Sequence, residues 1–363
     1  MRRLLSLASY SIGRIAVGLG LPAQAIFWFR TAVRLHENRT QSLHWLAWAL
    51  VQAGALDDAA ATYSSLVKVR SDDARSWFGL ARVHQDLGRH TDALAALDHA
   101  VALDHQNAVL HYSRGQSLIA LGRNEEATCA YRLAVNIEPT YADAVGNLGA
   151  ALGQLRRWDE AVRWHMEALR MAPSADAEYN LGVGLYELRR FDEAEQAFRR
   201  ALQREPTSGE LQARLASSLA AQGRIPAAVS MLEAALVSNP ADPSVRATLS
   251  GILLSEGKTF EAIEIARDAV SLTPDPRGYT ALGWAYLAAD RETEALLAFD
   301  TASQLEPPSP EIDAARGCCF TRMGRHPEAL QAFREVLARD PDYFDRDQMA
   351  CSCFERSQRE VRS

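Results

Sequence analysis

Five histidines, His84, His90, His99, His105 and His111, fall in one short stretch of the chain. Imidazoles bind divalent metal when they converge, usually at i, i+4 on one helix face. Here each stands at a different register of the periodic pattern described below, in place of an ordinary core, turn or surface residue, so no metal site is expected. The thiols pose a sharper question. Cys318-Cys319 and Cys351-Ser352-Cys353 lie near the end of the chain, and Cys129 stands apart. If the helices carrying the two clusters pack together, four thiols converge and a zinc site or disulfide is conceivable. Against this, C-C with C-x-C is not the usual C-x-x-C spacing, and small Cys is common in cores. The motifs G-x-x-x-x-G-K-[ST], G-x-G-x-x-G, H-E-x-x-H and G-x-S-x-G are all missing. Neither an enzyme active site nor a cofactor is expected.

The elements that position these residues follow from composition. The chain has 363 residues, of which 48% are hydrophobic and 8% aromatic, enough to bury a sizeable core. Abundant Ala and Leu favour helices over sheets. A formal net charge of −7 argues against general affinity for nucleic acid, which needs a basic surface. Five cysteines in such a length do not resemble a secreted disulfide framework. No stretch of uncharged apolar residues is long enough to span a membrane.

Alanine recurs at Ala25, Ala59, Ala93, Ala127, Ala161, Ala194, Ala228, Ala262, Ala295 and Ala329, in steps of 34 residues with 33 twice. Twelve residues before each stands another small residue: Gly13, Ala47, Ala81, Gly115, Gly149, Gly182, Ala216, Ser250, Gly283 and Gly317. Two antiparallel helices approach closely only where the residues at their crossing are small. The columns therefore predict a helix pair per period. Gly20, Gly54, Gly88, Gly122, Gly223, Gly257 and Gly324 mark the turn between the helices, where a left-handed residue ends the first one cheaply. Pro139, Pro173, Pro206, Pro240, Pro274, Pro307 and Pro341 close the second helix, while the first three periods carry Glu37, Ser71 and His105 instead. Leu46, Leu148, Leu181, Leu215 and Leu282, with Phe29, Tyr63, Tyr131, Phe198, Phe299 and Phe333, fill the apolar faces.

This pattern resembles the tetratricopeptide repeat family, best in "AVGNLGAALGQLRRWDEAVRWHMEALRMAP" and "AEYNLGVGLYELRRFDEAEQAFRRALQREP". The resemblance implies an all-α solenoid, a right-handed superhelix of helix–turn–helix repeats over residues 1–343. Its ten repeats would be 6–39, 40–73, 74–107, 108–141, 142–174, 175–208, 209–242, 243–275, 276–309 and 310–343. Arg114 and Arg316 stand where the family has leucine. Residues 344–363 read as a polar capping helix, Phe344 to Val361, over the last repeat's open face. The N-terminus has two readings. Met1-Arg2-Arg3, an apolar run and Ala23-Gln24-Ala25 resemble a secretory signal, which Arg14 interrupts. Gly13, Gly20, Ala25, Phe29 and Ala32 instead fall in repeat register, so residues 6–39 are taken as a first repeat. A cytoplasmic protein is expected, with export as the alternative if residues 1–25 are a leader.

In the family, the first helix of each repeat lines a concave groove that holds an extended peptide or a partner's helix. Positions 2, 5, 6, 9, 12 and 13 of each repeat share that face. Position 6 offers Asn147 and Asn180, a short asparagine ladder able to pair with a ligand backbone, then Arg214. Position 2 offers Asp143, Asp176 and Glu210, either an acidic row or acids favoured by the helix dipole. His44, Trp48, Phe78, Tyr112, Tyr179 and Trp284 are aromatic anchors or packing between first helices. Arg75 and Arg82 flank Phe78 and suit a carboxylate. The Lys/Asn clamp of chaperone-tail binders is absent, so chaperone tails are not expected. The expected function is a non-enzymatic scaffold or adaptor for protein or peptide partners. A substrate-presenting subunit of a separate enzyme, as in glycosyltransferase systems, and a self-assembling homo-oligomer are the alternatives.

Overall fold

The computed structural model describes residues 2–35, 39–305 and 309–362, and all regular elements among them are helices. Glu37 and Pro307 lie outside the described residues. The chain forms two compact units, Met1–Pro173 and Ser174–Ser363.

The first unit contains α1 (Arg2–Gly18), α2 (Pro22–Arg34), α3 (Arg39–Gln52), α4 (Leu56–Val69), α5 (Ala74–Asp86), α6 (His90–Leu103), α7 (Ala108–Ala120), α8 (Asn124–Ile137), α9 (Ala142–Gln154) and α10 (Trp158–Met171). The second contains α11 (Ala175–Glu187), α12 (Phe191–Arg204), α13 (Gly209–Ala221), α14 (Ile225–Ser238), α15 (Pro243–Ser255), α16 (Thr259–Leu272), α17 (Pro276–Ala288), α18 (Glu292–Leu305), α19 (Pro310–Arg322), α20 (His326–Arg339), α21 (Tyr343–Arg346) and α22 (Gln348–Arg362). Odd and even helices pair as the two small columns require, and each pair packs on the next within its unit.

Capping chemistry separates the two kinds of helix. Seven first helices begin on side chains that accept a backbone N–H, namely Asp73, Asn107, Ser174, Ser208, Asp242, Asp275 and Ser309, while α9 begins at Tyr141 without one. Second helices lack such a cap. In several of them the arginine before the helix instead reaches a glutamate three residues on, as Arg123–Glu126 and Arg190–Glu193 do, both at 2.7 Å. Those acids also sit favourably at the positive helix end.

All seven turn glycines have φ between +68° and +77°. The three periods without one place Arg156, Arg189 and Asp290 there, at φ +58°, +58° and +54°. A left-handed non-glycine residue costs roughly 1–2 kcal/mol, and glycine returns part of that through its looser unfolded chain. Arg189→Gly is therefore expected to raise the stability of the second unit by about 0.5–1 kcal/mol. Urea titration reads this directly, and an unchanged or lower midpoint would contradict it.

The core pairs a ring with a missing methyl. Phe29, Phe198, Phe299 and Phe333 are fully buried, and each lies against a glycine of its own pair: Gly13, Gly182, Gly283 and Gly317. A Cβ at Gly182 would stand 2.6 Å from the Phe198 ring. Gly115 faces Tyr131 and Gly149 faces His165 in the same way. Where the second helix has Leu97 or Leu232, the partner column has Ala81 or Ala216. Tyr63 stands in register with Ala47, and its ring lies instead over Gly79 of the following pair.

The C-terminal cap differs from the single helix expected from Phe344 to Val361. Asp347 interrupts it, because its carboxylate caps the next helix by accepting the Ala350 N–H at 3.0 Å. Phe354 of α22 then packs on Phe333 and Phe344, with ring centroids 5.7 and 4.9 Å away. Thr321 and Ser357 share a buried hydrogen bond of 2.9 Å beneath it.

Candidate functional site

The groove-face residues named above gather in three places. In the first unit, Trp48, Arg75, Phe78 and Arg82 line a cavity of about 260 Å³ with Tyr63. Burial raises the Tyr63 hydroxyl above its usual pKa, and Arg82 nearby opposes the shift. His44 meets Tyr63 edge-on at 6.2 Å, so it belongs to the packing around that ring.

A second cluster in the same unit surrounds Tyr112. Asn147 Nδ2 donates to the Tyr112 hydroxyl at 3.2 Å, and Gln116 donates to it at 3.1 Å. The Tyr112 and Tyr141 rings lie 5.0 Å apart. Burial raises the Tyr112 pKa, the charge of exposed Asp143 adds to the rise, and the Asn147 bond opposes it. One donor of Asn147 is thus already committed inside the fold.

The third cluster is the richest, and it lies in the second unit. The Tyr179 hydroxyl donates to Glu210 Oε1 at 3.2 Å. Arg214 lies over the Tyr179 ring at 5.9 Å and donates to the same carboxylate oxygen at 3.1 Å. Ser244 donates to Glu210 Oε2 at 3.1 Å, and Arg277 pairs with that oxygen too. Burial pushes the Glu210 carboxyl up, but Arg214, Arg277 and Ser244 together hold it below the usual carboxylate range. Glu210 is thereby the neutralised centre of a network. Asn180 is half-buried beside Tyr179, and exposed Asp176 lines a shallow cavity of about 170 Å³ with Tyr179 and Glu210.

Next to this network opens a cavity of about 930 Å³. Leu254, Trp284, Leu287 and Ile312 give it an apolar wall, and Arg214, Arg277 and Arg322 stand around it with Glu311. It lies along α13, α15, α17 and α19, and Met349 of α22 closes one side. Most of its lining stands at positions 5, 6, 9, 12 and 13 of the repeats. The position rule would therefore have found Arg277, Thr248 and Leu254, had it been carried beyond the middle repeats. Met349 carried no such signal, since only the folded cap brings it there.

The thiols converge only in part. Cys318 and Cys353 are hydrogen-bonded across α19 and α22; this bond and burial push the Cys318 thiol up. The same bond, acting against burial, lowers the Cys353 thiol. Cys351 instead points to Glu355, with Sγ 3.9 Å from its carboxylate. All five cysteines are free, and no group of three or more metal-ligating side chains occurs among the described residues. His99 stacks on Trp77 at 4.3 Å, and His111 bonds the His105 carbonyl at 3.0 Å.

Comparison with known proteins places this geometry. Family profiles described as tetratricopeptide repeat match residues 44–108, 80–144, 147–209 and 280–344, and a further one matches 185–252. A curated relative, Protein STIP1 homolog of Dictyostelium discoideum, is 29% identical over 85 residues, which is 23% of this chain and only 15% of that protein. The crystal structure of yeast Tom70 aligns over 100% of this chain and 97% of its own, with 14% identity and a TM-score of 0.56. A tetratricopeptide repeat protein from Parabacteroides merdae aligns over 76% of this chain and 97% of its own, with 16% identity and a TM-score of 0.55. At these identities the two structures speak for the fold alone. Among the described residues no helix is long and apolar enough to cross a membrane.

Proposed function

This chain belongs to the tetratricopeptide repeat family, in general a non-enzymatic interaction fold, and from that premise we propose that it is a protein-binding scaffold whose second unit holds a segment of a partner along its first helices. The support is the cavity of about 930 Å³ at α13, α15, α17 and α19. That volume is the size of a site that buries a compact ligand or several peptide side chains. Its apolar wall around Trp284 suits a large hydrophobic anchor. Arg214 and Arg277, which share Glu210, and Arg322, which pairs with Asp290 at 3.2 Å, stand around it, and each guanidinium has further N–H donors with which to bond a carboxylate. The segment that fits is therefore an extended or helical one bearing an apolar side chain and carboxylates. Tyr179, Glu210 and Ser244 fix the two arginines that face it.

Peptides selected from a displayed library against the purified protein provide the test, with affinity read by fluorescence anisotropy. Ala281→Trp, which fills the cavity, and Arg277→Glu, which reverses its charge, are each expected to weaken binding roughly tenfold or more, about 1.4 kcal/mol. Phe260→Glu, on an exposed face of α16 outside the cavity, should leave it unchanged. Equal affinity of all three variants and wild type would remove the groove from the binding reaction. Asn147→Ala/Asn180→Ala in the same assay asks separately whether the asparagines contribute.

A further inference from the structure

Helix α1 is built the wrong way round for a soluble surface. The residues it turns inward are small or polar: Ser6, Ser9, Gly13 and Ala16, all buried. Its large aliphatic side chains point outward, as does Leu19 just after its last residue: Leu4 is 73% exposed, Leu5 52%, Ile15 62% and Leu19 68%. At about 100° per residue, Leu4, Ile15, Ala8, Leu19, Ile12 and Leu5 fall in order within roughly 100° of arc, with no polar residue among them.

The register explains why this face is open. Ala8, Ile12 and Ile15 occupy positions that hold Ser42, Leu46 and Ala49 in α3 and Ser76, Leu80 and Val83 in α5. Those six are buried, since α3 and α5 pack on the pair before them. In α1 the same positions are uncovered. A helix face left open to water in a solenoid is normally polar, as that of α22 is with Glu355, Arg359 and Glu360 exposed. Phe27 of α2, 62% exposed, with Trp28 edge-on at 5.2 Å, adds aromatic surface to the same helix pair.

Charge selects the occupant. Residues 1–36 hold five arginines, Arg2, Arg3, Arg14, Arg30 and Arg34, and no carboxylate. Of these, Arg30 pairs with Asp58 at 2.6 Å and Arg14 lies over Trp45. A second copy docking isologously through α1 would set this basic segment against itself. A specific protein interface would want polar groups within the patch to fix register, and the arc has none. A broad aliphatic stripe on a basic segment is what an interfacial helix presents to lipid.

We propose that the α1–α2 pair is a peripheral docking surface for an anionic lipid membrane, with α1 lying flat and its Leu4–Leu19 stripe entering the acyl boundary. The proposal is independent of the groove. Flotation of the full chain with phosphatidylcholine vesicles, with and without phosphatidylglycerol, tests it. Wild type should float with the anionic vesicles, should fail to float with the neutral ones, and should lose partitioning as salt rises. Ile15→Glu/Leu19→Glu should lower partitioning at least roughly tenfold. Both sites are exposed, so its thermal melt by circular dichroism should match wild type, and Phe260→Glu should float normally. No association of wild type with anionic vesicles, or equal association of the double variant, overturns the proposal. So does a wild-type dimer by light scattering that the double variant makes monomeric while neither binds vesicles, since the face would then belong to a second copy.

Discussion

Truncating Phe198 to alanine is expected to destabilise the second unit by about 3–5 kcal/mol. The ring is fully buried, and it fills the notch that Gly182 leaves between α11 and α12. Nothing near it can collapse into the space, because a helix backbone forms one wall. The reverse error is also costly. In Gly182→Ala the new methyl meets the ring at 2.6 Å, an overpacking of about 1–3 kcal/mol that helix propensity offsets by about 1 kcal/mol. The two sites must couple. Gly182→Ala/Phe198→Leu recreates the Ala–Leu combination found at Ala81 with Leu97 and Ala216 with Leu232. In the Phe198→Leu background, Gly182→Ala should therefore become neutral or stabilising. A urea double-mutant cycle measures this. If alanine costs as much there as in wild type, the ring contact is not what excludes a side chain at Gly182.

Acid should weaken the first unit through His165. This ring takes the place of a phenylalanine opposite Gly149; it is 4% exposed, and burial pushes its pKa down to about 4. The sign follows from proton counting. Above pH 6.5 the ring is neutral folded and unfolded, and the group makes no difference. Between 6.5 and 4 the unfolded chain takes up a proton that the folded chain refuses, so stability falls as pH falls. The full loss is about 3 kcal/mol, at about 1.4 kcal/mol per unit of pKa. His165→Phe, which restores the ring found at Phe198, Phe299 and Phe333, should remove this slope. Carboxylates such as Glu126 and Glu167 titrate in both proteins, so the informative quantity is the difference between wild type and variant at each pH. Parallel unfolding midpoints from pH 7 to pH 4 would refute the assignment.

The grouping of the named side chains was partly legible. Phe78, Arg82 and Trp48 come together as their shared helix face implied, because residues at related repeat positions repeat a translation along stacked helices. Tyr179 and Arg214 likewise meet. The centre of gravity was not legible. Glu210 and Arg277 are 67 residues apart and bond across three first helices, a contact no local pattern encodes. The asparagine pair also reads differently once folded, since Tyr112 takes one donor of Asn147.

One slot shows the same limit. Trp77 stacks on His99, Glu178 bonds Arg200 at 2.8 Å, and Arg246 pairs with Asp268 at 3.7 Å with the charges reversed. All three pairs join the same two repeat positions. The helix pair demands only that the two side chains suit each other, so neither column looks conserved within the chain and the sequence hides the rule.

What sequence alone decided are the features set by neighbours in the chain: the helix-pair period, the turn glycines with left-handed φ, and the small columns at the crossings. Each depends on a few residues within one repeat, and repetition makes the signal loud. Tertiary structure decided what depends on which surfaces end up covered. It matched each core ring to its glycine, put a cavity of about 930 Å³ along α13 to α19 beside Met349, and left the aliphatic side of α1 bare. The cysteine pair and the break at Asp347 belong to this second class too. Burial is a property of the whole packed unit, and no single repeat contains it.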